Sequence, residues 1–460
     1  MIVKKIRQSE VELIHEKTLE LLEEVGVIFE HPDLIDYFKR LGNRTDGFRV
    51  FIDLATVAKA LSTMPASFVM RNPYEEVKIG EGGRAISTSS GARKMLKNGQ
   101  LVDPTVEDYI KIRKLDATSP VVNISSFSQV YVPELPADRD RLIKVALTLQ
   151  HSKHPLQSSC MKKKDAEETI ELIRRFYGMD SGCFAVGMGS VISPLRYDRN
   201  DIEAILSYAV RGLPAGVNCC SMPGMTSPIT VGGTVLVNNA EILAGLVMIP
   251  LVKPGNPVVS GNVSCGSNLR YAVPVSWGPE VALIIQYASA MAHYYKVPCR
   301  IGGSMSAAKQ LDWQDGAQAA MSIMTTLDCD CDFFFHACGE LDSFNVFSLE
   351  KYILDEELVK QRLNLHDREY ITEDDLCLES IWEVGAGGNF LLEDDTLDRY
   401  DTEFYLSDLF SCENYERWEG RGRPDVLDKA AKMVEKRLEE YKAPEYTPEQ
   451  MAILDEVLKF

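Results

Sequence analysis

His336 directly follows the very apolar run Phe333-Phe334-Phe335, a position where an ionisable ring is costly unless it is used. A histidine there serves as a satisfied structural side chain, a general acid, or a ligand for a carboxylate or a metal. Small polar groups recur at the ends of other short apolar runs, among them Ser89, Ser90, Ser125, Ser128, Gln129, Ser159, Ser190, Ser221 and Ser304. Gly91, Gly189, Gly302, Gly303 and Gly339 remove side chains from the same kind of position. Just beyond stand Phe127, Tyr131, Tyr197, Tyr271, Trp277, Phe344 and Phe347. Aromatic faces attract a quaternary ammonium, which has no N–H to donate, and each ring is worth about 0.5–2 kcal/mol once desolvated. The alternative for each ring is a loop-anchoring place in the core. No carboxylate pair occupies adjacent run ends, which argues against glycoside-type acid/base chemistry. No lysine does either, which argues against a Schiff-base mechanism. His336-x-Cys338, with Cys219, Cys220, Cys265 and Cys299, raises a zinc site assembled from several segments, although no Cys-x-x-Cys occurs.

These residues need a scaffold that converges strand ends. Short apolar segments begin at Ala85, Val121, Pro155, Cys183, Gly216, Pro257, Pro298 and Phe333, and an amphipathic stretch follows each. Strand-then-helix repeated in this way predicts a closed (β/α)₈ barrel, an α/β fold that places its chemistry at the carboxyl ends of the strands. The predicted crossover helices are 106–117, 137–151, 166–177, 201–211, 234–248, 280–295, 313–327 and 349–365. Glu241, a lone charge inside the apolar fifth helix, reads as a structural pairing. Residues 1–84 form an α-rich N-terminal extension, 85–367 the barrel, and 368–460 a helical C-terminal extension packing on it. Ser9-x-x-Glu12 has the form of a capping box, and Lys97-Asn98-Gly99-Gln100 that of a hairpin turn.

Net charge is −19, and no basic patch offers a nucleic-acid footprint. Met1 to Glu16 contains no apolar core of a signal peptide. Ile242 to Val252 is short and interrupted by Gly245 and Pro250, so no membrane span is expected. Eleven cysteines without a secretory signal point to free thiols in a reducing, cytoplasmic compartment. Large acidic helical flanks favour a homo-oligomer.

Several stretches in ordered succession resemble the trimethylamine methyltransferase family of corrinoid-dependent enzymes. They are Ile14-His15-Glu16-Lys17-Thr18-Leu19 running to Val25-Gly26-Val27, Pro228-Ile229-Thr230-Val231-Gly232-Gly233, and Asn239-Ala240-Glu241-Ile242-Leu243-Ala244-Gly245. Arg300-Ile301-Gly302-Gly303-Ser304, His336-Ala337-Cys338-Gly339, Ser348-Leu349-Glu350-Lys351 and Gly387-Gly388-Asn389-Phe390-Leu391 complete the set, which covers nearly the whole chain. The resemblance implies a (β/α)₈ barrel that moves a methyl group from an amine to Co(I) of a separate corrinoid protein, with no tightly bound cofactor or metal of its own. The trimethylamine-specific branch carries pyrrolysine. Every residue here is one of the standard twenty, as in the branch similar to glycine betaine, proline betaine and carnitine demethylases. On this reading Phe127, Tyr197, Tyr271, Trp277, Phe344 and Phe347 face the ammonium, with Gln129 and Ser190 completing the substrate site. His336 takes the carboxylate end, and Gly302, Gly303 and Ser304 form the rim where the corrin approaches. After His336 the chain reads Glu340-Leu341-Asp342-Ser343-Phe344-Asn345, where the family tends towards Trp and Gly, leaving the individual amine open. The competing readings are a zinc-dependent thiol methyltransferase using His336 and Cys338, and a non-catalytic betaine-binding barrel.

Overall fold

A computed structural model describes residues 6–88, 90–159, 162–367 and 371–459. The barrel strands are β1 (Ala85–Ile86), β2 (Ser125–Ser126), β3 (Leu156–Ser158), β4 (Ala185–Ser190), β5 (Ala215–Cys219), β6 (Val258–Asn262), β7 (Cys299–Ile301) and β8 (Phe333–Phe334). All eight belong to one parallel sheet, in which each strand pairs with its neighbour in sequence and β8 returns to β1. A parallel bridge between Ser87 and Ile124 joins β1 to β2 and closes the ring.

The intervening helices are α1 (Val106–Ala117), α2 (Asp140–His151), α3 (Lys163–Tyr177), α4 (Arg199–Ala209), α5 (Val231–Val252), α6 (Pro279–Tyr294), α7 (Trp313–Asp328) and α8 (Leu349–Asp367). Several begin at a side-chain cap that the sequence supplies. Thr105 accepts from the Asp108 N–H, Asp198 from the Asp201 N–H, and Asp312 from the Gln314 and Asp315 N–H groups.

One helix departs from expectation. α5 runs on through Gly245 and Pro250 for 22 residues, and among the described residues it alone is long and apolar enough to cross a membrane. It is buried inside the protein instead, because a second layer covers its outer side. The N-terminal helix Gln8–Glu24 packs there, and the Asn239 amide of α5 donates to Thr18 Oγ1 at 2.7 Å and to Tyr295 OH at 2.9 Å. That N-terminal helix also starts earlier than the Ser9 box implied: Glu10 reaches back to accept the Arg7 N–H at 3.0 Å. The N-terminal layer holds more strand than expected. Val27–Phe29 pairs with Arg49–Phe51 on one side and with Arg196–Tyr197, from the loop after β4, on the other. The predicted hairpin is present, with Lys97 opposite Gln100 and left-handed φ values of 50° at Asn98 and 74° at Gly99.

The C-terminal helices Val426–Glu440 and Pro448–Leu458 lie against the barrel helices. Arg437 Nη1 pairs with the buried Glu356 of α8 at 2.6 Å, and Gln450 Nε2 donates to Tyr74 OH at 2.8 Å. One apolar core runs from Phe29 through the barrel helices to Leu454, and a second, including Ile124, Val186, Val259 and Phe333, fills the barrel interior.

Candidate active site

The strand ends enclose a cavity of about 590 Å³, within the usual small-molecule range. Every barrel strand or the residues just after it contribute: Ser90 and Gly91, Ser128, Ser159, Ser190, Asn218 and Cys220, Val263, Arg300, and Phe335 with His336. Arg141 from α2, Asp201 from α4, Pro274 from the loop after β6, and Ser343, Phe344 and Asn345 from the loop after β8 add to the lining. Ser89 lies outside the described residues.

His336 occupies the wall where β8 ends. Its φ of 58° is left-handed, a conformation a non-glycine residue adopts only when its surroundings enforce it. Gly303 is one enforcing neighbour, since a Cβ there would lie 2.4 Å from the His336 Cβ. Ser304 is another: its N–H donates to the His336 carbonyl at 2.7 Å, and its hydroxyl donates to the buried Asp355 at 2.8 Å. The imidazole Nδ1 donates to Glu340 Oε2 at 2.6 Å, leaving Nε2 as the ring nitrogen for a ligand. The ring lies between Phe335, at 4.4 Å between centroids, and Phe344, at 5.1 Å.

Arg300 is buried beside it. Its guanidinium carbon lies 3.6 Å from the centroid of the Phe335 ring, and Nη1 donates to Asn218 Oδ1 at 2.7 Å. Nε has no protein partner. Burial pulls the guanidinium pKa down to about 9, so it is charged at neutral pH. Such an arrangement calls for an anionic or acceptor group from a ligand.

On the opposite side Asp201, at the start of α4, accepts the Ser190 N–H at 3.2 Å. Burial raises its carboxyl to about 6, with the Asp198 charge adding to the shift. Arg141 reaches the Ser159 carbonyl and lies 3.5 Å from Asp165. The cavity is therefore charged at both ends, by Arg300 on one side and Asp201 with Arg141 on the other.

The structure brings His336, Ser190 and Phe344 together at the cavity and separates the other expected residues from it. Tyr197 is fully buried in the N-terminal sheet, stacked on Phe29 at 5.3 Å and donating to the Glu241 carbonyl at 2.8 Å. Phe127 is buried, its carbonyl accepting from Tyr109 OH at 2.9 Å. Gln129 is buried and donates to Thr88 Oγ1 at 2.7 Å. Trp277 and Phe347 belong to the apolar core. Tyr271 is 69% exposed on the loop after β6. Gly302, Gly303 and Ser304, expected at the rim where the corrin approaches, are buried and do not line the cavity. Gly302 has no side chain because a Cβ would strike Thr326 of α7 at 1.9 Å. These residues shape the His336 wall from behind.

Glu241 is the structural group expected. It accepts from Ser193 Oγ at 2.9 Å, the Leu195 N–H at 2.8 Å and Cys219 Sγ at 2.8 Å. Cys338, the second ligand of the zinc reading, is buried, and among the described residues no three His, Cys, Asp or Glu side chains are grouped to hold a metal.

A ring of parallel strands whose carboxyl ends surround one polar cavity defines a (β/α)₈ barrel of the enzyme type. Residues 2–459 match the trimethylamine methyltransferase family, and the chain belongs to it. It is 30% identical to a proline betaine:corrinoid methyltransferase of Eubacterium limosum, over 99% of this chain and 97% of that protein. A glycine betaine methyltransferase of Desulfitobacterium hafniense (strain Y51) is 28% identical, over 96% of this chain and 94% of the relative. A trimethylamine methyltransferase of Methanosarcina barkeri (strain Fusaro / DSM 804) is 26% identical, over 93% and 89%. The fold is shared with the monomethylamine methyltransferase of Methanosarcina barkeri, at a TM-score of 0.52 and 12% identity, covering 99% of this chain and 92% of that one.

Proposed function

We propose that this chain demethylates a zwitterionic quaternary amine of the betaine class and passes the methyl group to Co(I) of a separate corrinoid protein. The observation that carries the substrate class is the buried Arg300 guanidinium, which lines the cavity together with His336. Arg300 and His336 hold the carboxylate. Phe344 and the Asp201 carboxylate face the ammonium, and Ser190 positions Asp201 through its backbone N–H. The relatives' names support the amine and the acceptor.

The chemistry suits such a cavity. A quaternary nitrogen leaves as a neutral tertiary amine, so the electron pair of the N–CH₃ bond departs with nitrogen and no acid is required. Co(I) supplies the pair for the new Co–CH₃ bond. The chain's task is to desolvate the cation and hold one N–CH₃ bond towards the open mouth. Orientation of this kind contributes up to about 7–11 kcal/mol in ideal cases. His336, fixed by Glu340, orients the carboxylate and so the nitrogen; it needs no proton transfer.

Incubating the protein with reduced cobalamin and a panel of methylated amines, and following Co(I) by absorbance, tests the proposal. Loss of Co(I) with carboxylated quaternary amines, and none with trimethylamine, is the expected result. Turnover of trimethylamine alone overturns it.

A further inference from the structure

Two loops at the cavity mouth stand apart from the rest of this acidic chain. Residues 212–240, which hold the loop after β5, contain no charged side chain, and residues 254–279, which hold the loop after β6, contain only Arg270. Large apolar side chains meet solvent there instead. Ile229 is 64% exposed, and Met225, Leu269, Tyr271 and Val273 are exposed on the same two loops. The loops meet over Gly224, where a Cβ would lie 2.9 Å from Ile229 Cδ1 and 3.0 Å from Leu269 Cδ1. Both are built structures. Thr230, next to Ile229, caps α5 by accepting the Gly233 N–H at 3.1 Å. The second loop is a hairpin in which Gly266–Asn268 pairs with Val273–Val275, and the Tyr271 N–H donates to the Asn268 carbonyl at 3.2 Å.

This surface borders the cavity. Cys220 and Val263, at the feet of the two loops, line it, and so does Pro274 of the hairpin. The Ser276 N–H donates to Ser343 Oγ at 3.3 Å, which joins the hairpin to the loop carrying Phe344. Five such side chains expose on the order of 500 Å², the size of patch that marks a functional surface on a monomer. A stable interface takes about 800 Å² per partner, so the patch suits a protein that arrives and leaves. Interface centres are poor in Lys, Glu and Asp and rich in Tyr, Met and Arg, which is the composition of these loops.

We propose that the loops after β5 and β6 dock the corrinoid protein, through an uncharged apolar contact centred on Ile229, Leu269 and Tyr271. The choice of partner rests on the reading that the chain gives its methyl group to such a protein. Transfer needs cobalt within about 3–3.5 Å of the methyl carbon. The acceptor therefore covers the mouth at each turnover and withdraws afterwards, and the apolar surface beside the mouth is what it meets. A second copy of this chain seated there permanently would cover the same mouth and exclude the acceptor.

Methyl transfer from glycine betaine to two acceptors tests the proposal: free cob(I)alamin, which has no protein to dock, and the purified corrinoid proteins of the source organism. Ile229→Ser and Leu269→Ser should leave the rate with free cob(I)alamin unchanged. The double variant should raise KM for the corrinoid protein at least about tenfold, as truncation at the centre of an interface does. An unchanged KM for the corrinoid protein, or equal losses with both acceptors, overturns the proposal. A native chain that sediments as a dimer and becomes a monomer on Leu269→Ser also overturns it, by giving the patch to a second copy. Native protein that transfers no methyl group from a carboxylated quaternary amine to either acceptor overturns the substrate reading instead. Calorimetry with the Co(II) corrinoid proteins then decides the docking surface: weaker binding by the double variant supports it, and equal affinity or no binding by the native chain overturns it.

Discussion

The two sides of the cavity are built differently. The β7–β8 wall is buried and interlocked: Arg300 lies on Phe335, His336 is pinned by Glu340 and Ser304, and Gly303 lets the two strand ends meet. The β3–β4 side is more open, with Arg141 partly exposed, Ser190 exposed and Asp201 held by one backbone N–H. On the proposed function, the fixed wall sets which anionic group is accepted and where the methyl carbon points, and the open acidic side tolerates different substituents on nitrogen. That reading gives selectivity to Arg300 and His336, and adjustable cation contact to Asp201 and Phe344.

The largest effect is expected on the fixed wall. Arg300→Ala should raise KM for a carboxylated betaine by about 30- to 5,000-fold, since removing one partner of a buried charged contact costs about 2–5 kcal/mol. Arg300→Lys should recover little, because an ammonium lacks the planar fork that bonds Asn218 while lying on Phe335. Glu340→Gln comes next. It removes the charge that holds the His336 ring and should lower kcat/KM by about tenfold, a loss of roughly 1–2 kcal/mol. Steady-state kinetics with purified corrinoid protein checks both.

Smaller effects are expected on the open side. Phe344→Ala should weaken ammonium binding by about 3- to 30-fold, the worth of a ring-to-cation contact of about 0.5–2 kcal/mol. Asp201 attracts the cation only when ionised, so betaine affinity should rise with pH through about 6, and Asp201→Asn should flatten that rise. The same shift gives a stability signature of opposite slope. A carboxyl raised to about 6 in the folded chain, against an ordinary value near 3.8, binds more protons folded than unfolded between those pH values. Stability from this group is therefore present below pH 4 and lost as pH rises through 6, a slope that Asp201→Asn should remove from a series of denaturant titrations. Equal losses from Phe344→Ala and Arg300→Ala would break the contrast between the sides.

Much of the scaffold was legible because its signals are local. Apolar runs of strand length, capping aspartates such as Asp198 and Asp312, and the Asn98-Gly99 turn each specify their own element. The second layer was less legible. Nothing in the sequence between Val231 and Val252 announces that the N-terminal helix covers it, so its uninterrupted apolar length read as a shorter amphipathic helix. The site was legible at His336, Ser190 and Phe344, which stand beyond strand ends. It was obscured at Arg300, which lies inside β7 among residues of the Arg-Ile-Gly-Gly-Ser motif, and at Asp201, which falls at the start of the predicted helix 201–211. Strand alternation separates two faces but does not say which one meets the barrel interior. The register of Arg300 opposite Gly261 and Phe333 had to be seen. The same ambiguity placed Tyr197 and Phe347 at the cavity, when each fills a neighbouring sheet.

Comparing kcat/KM for glycine betaine with that for choline, in the native protein and in Arg300→Ala, tests the assignment most directly. A strong preference for the carboxylated amine that collapses to within a few-fold in the variant is the predicted result. A native protein that favours choline, or a variant that loses both substrates equally, contradicts it.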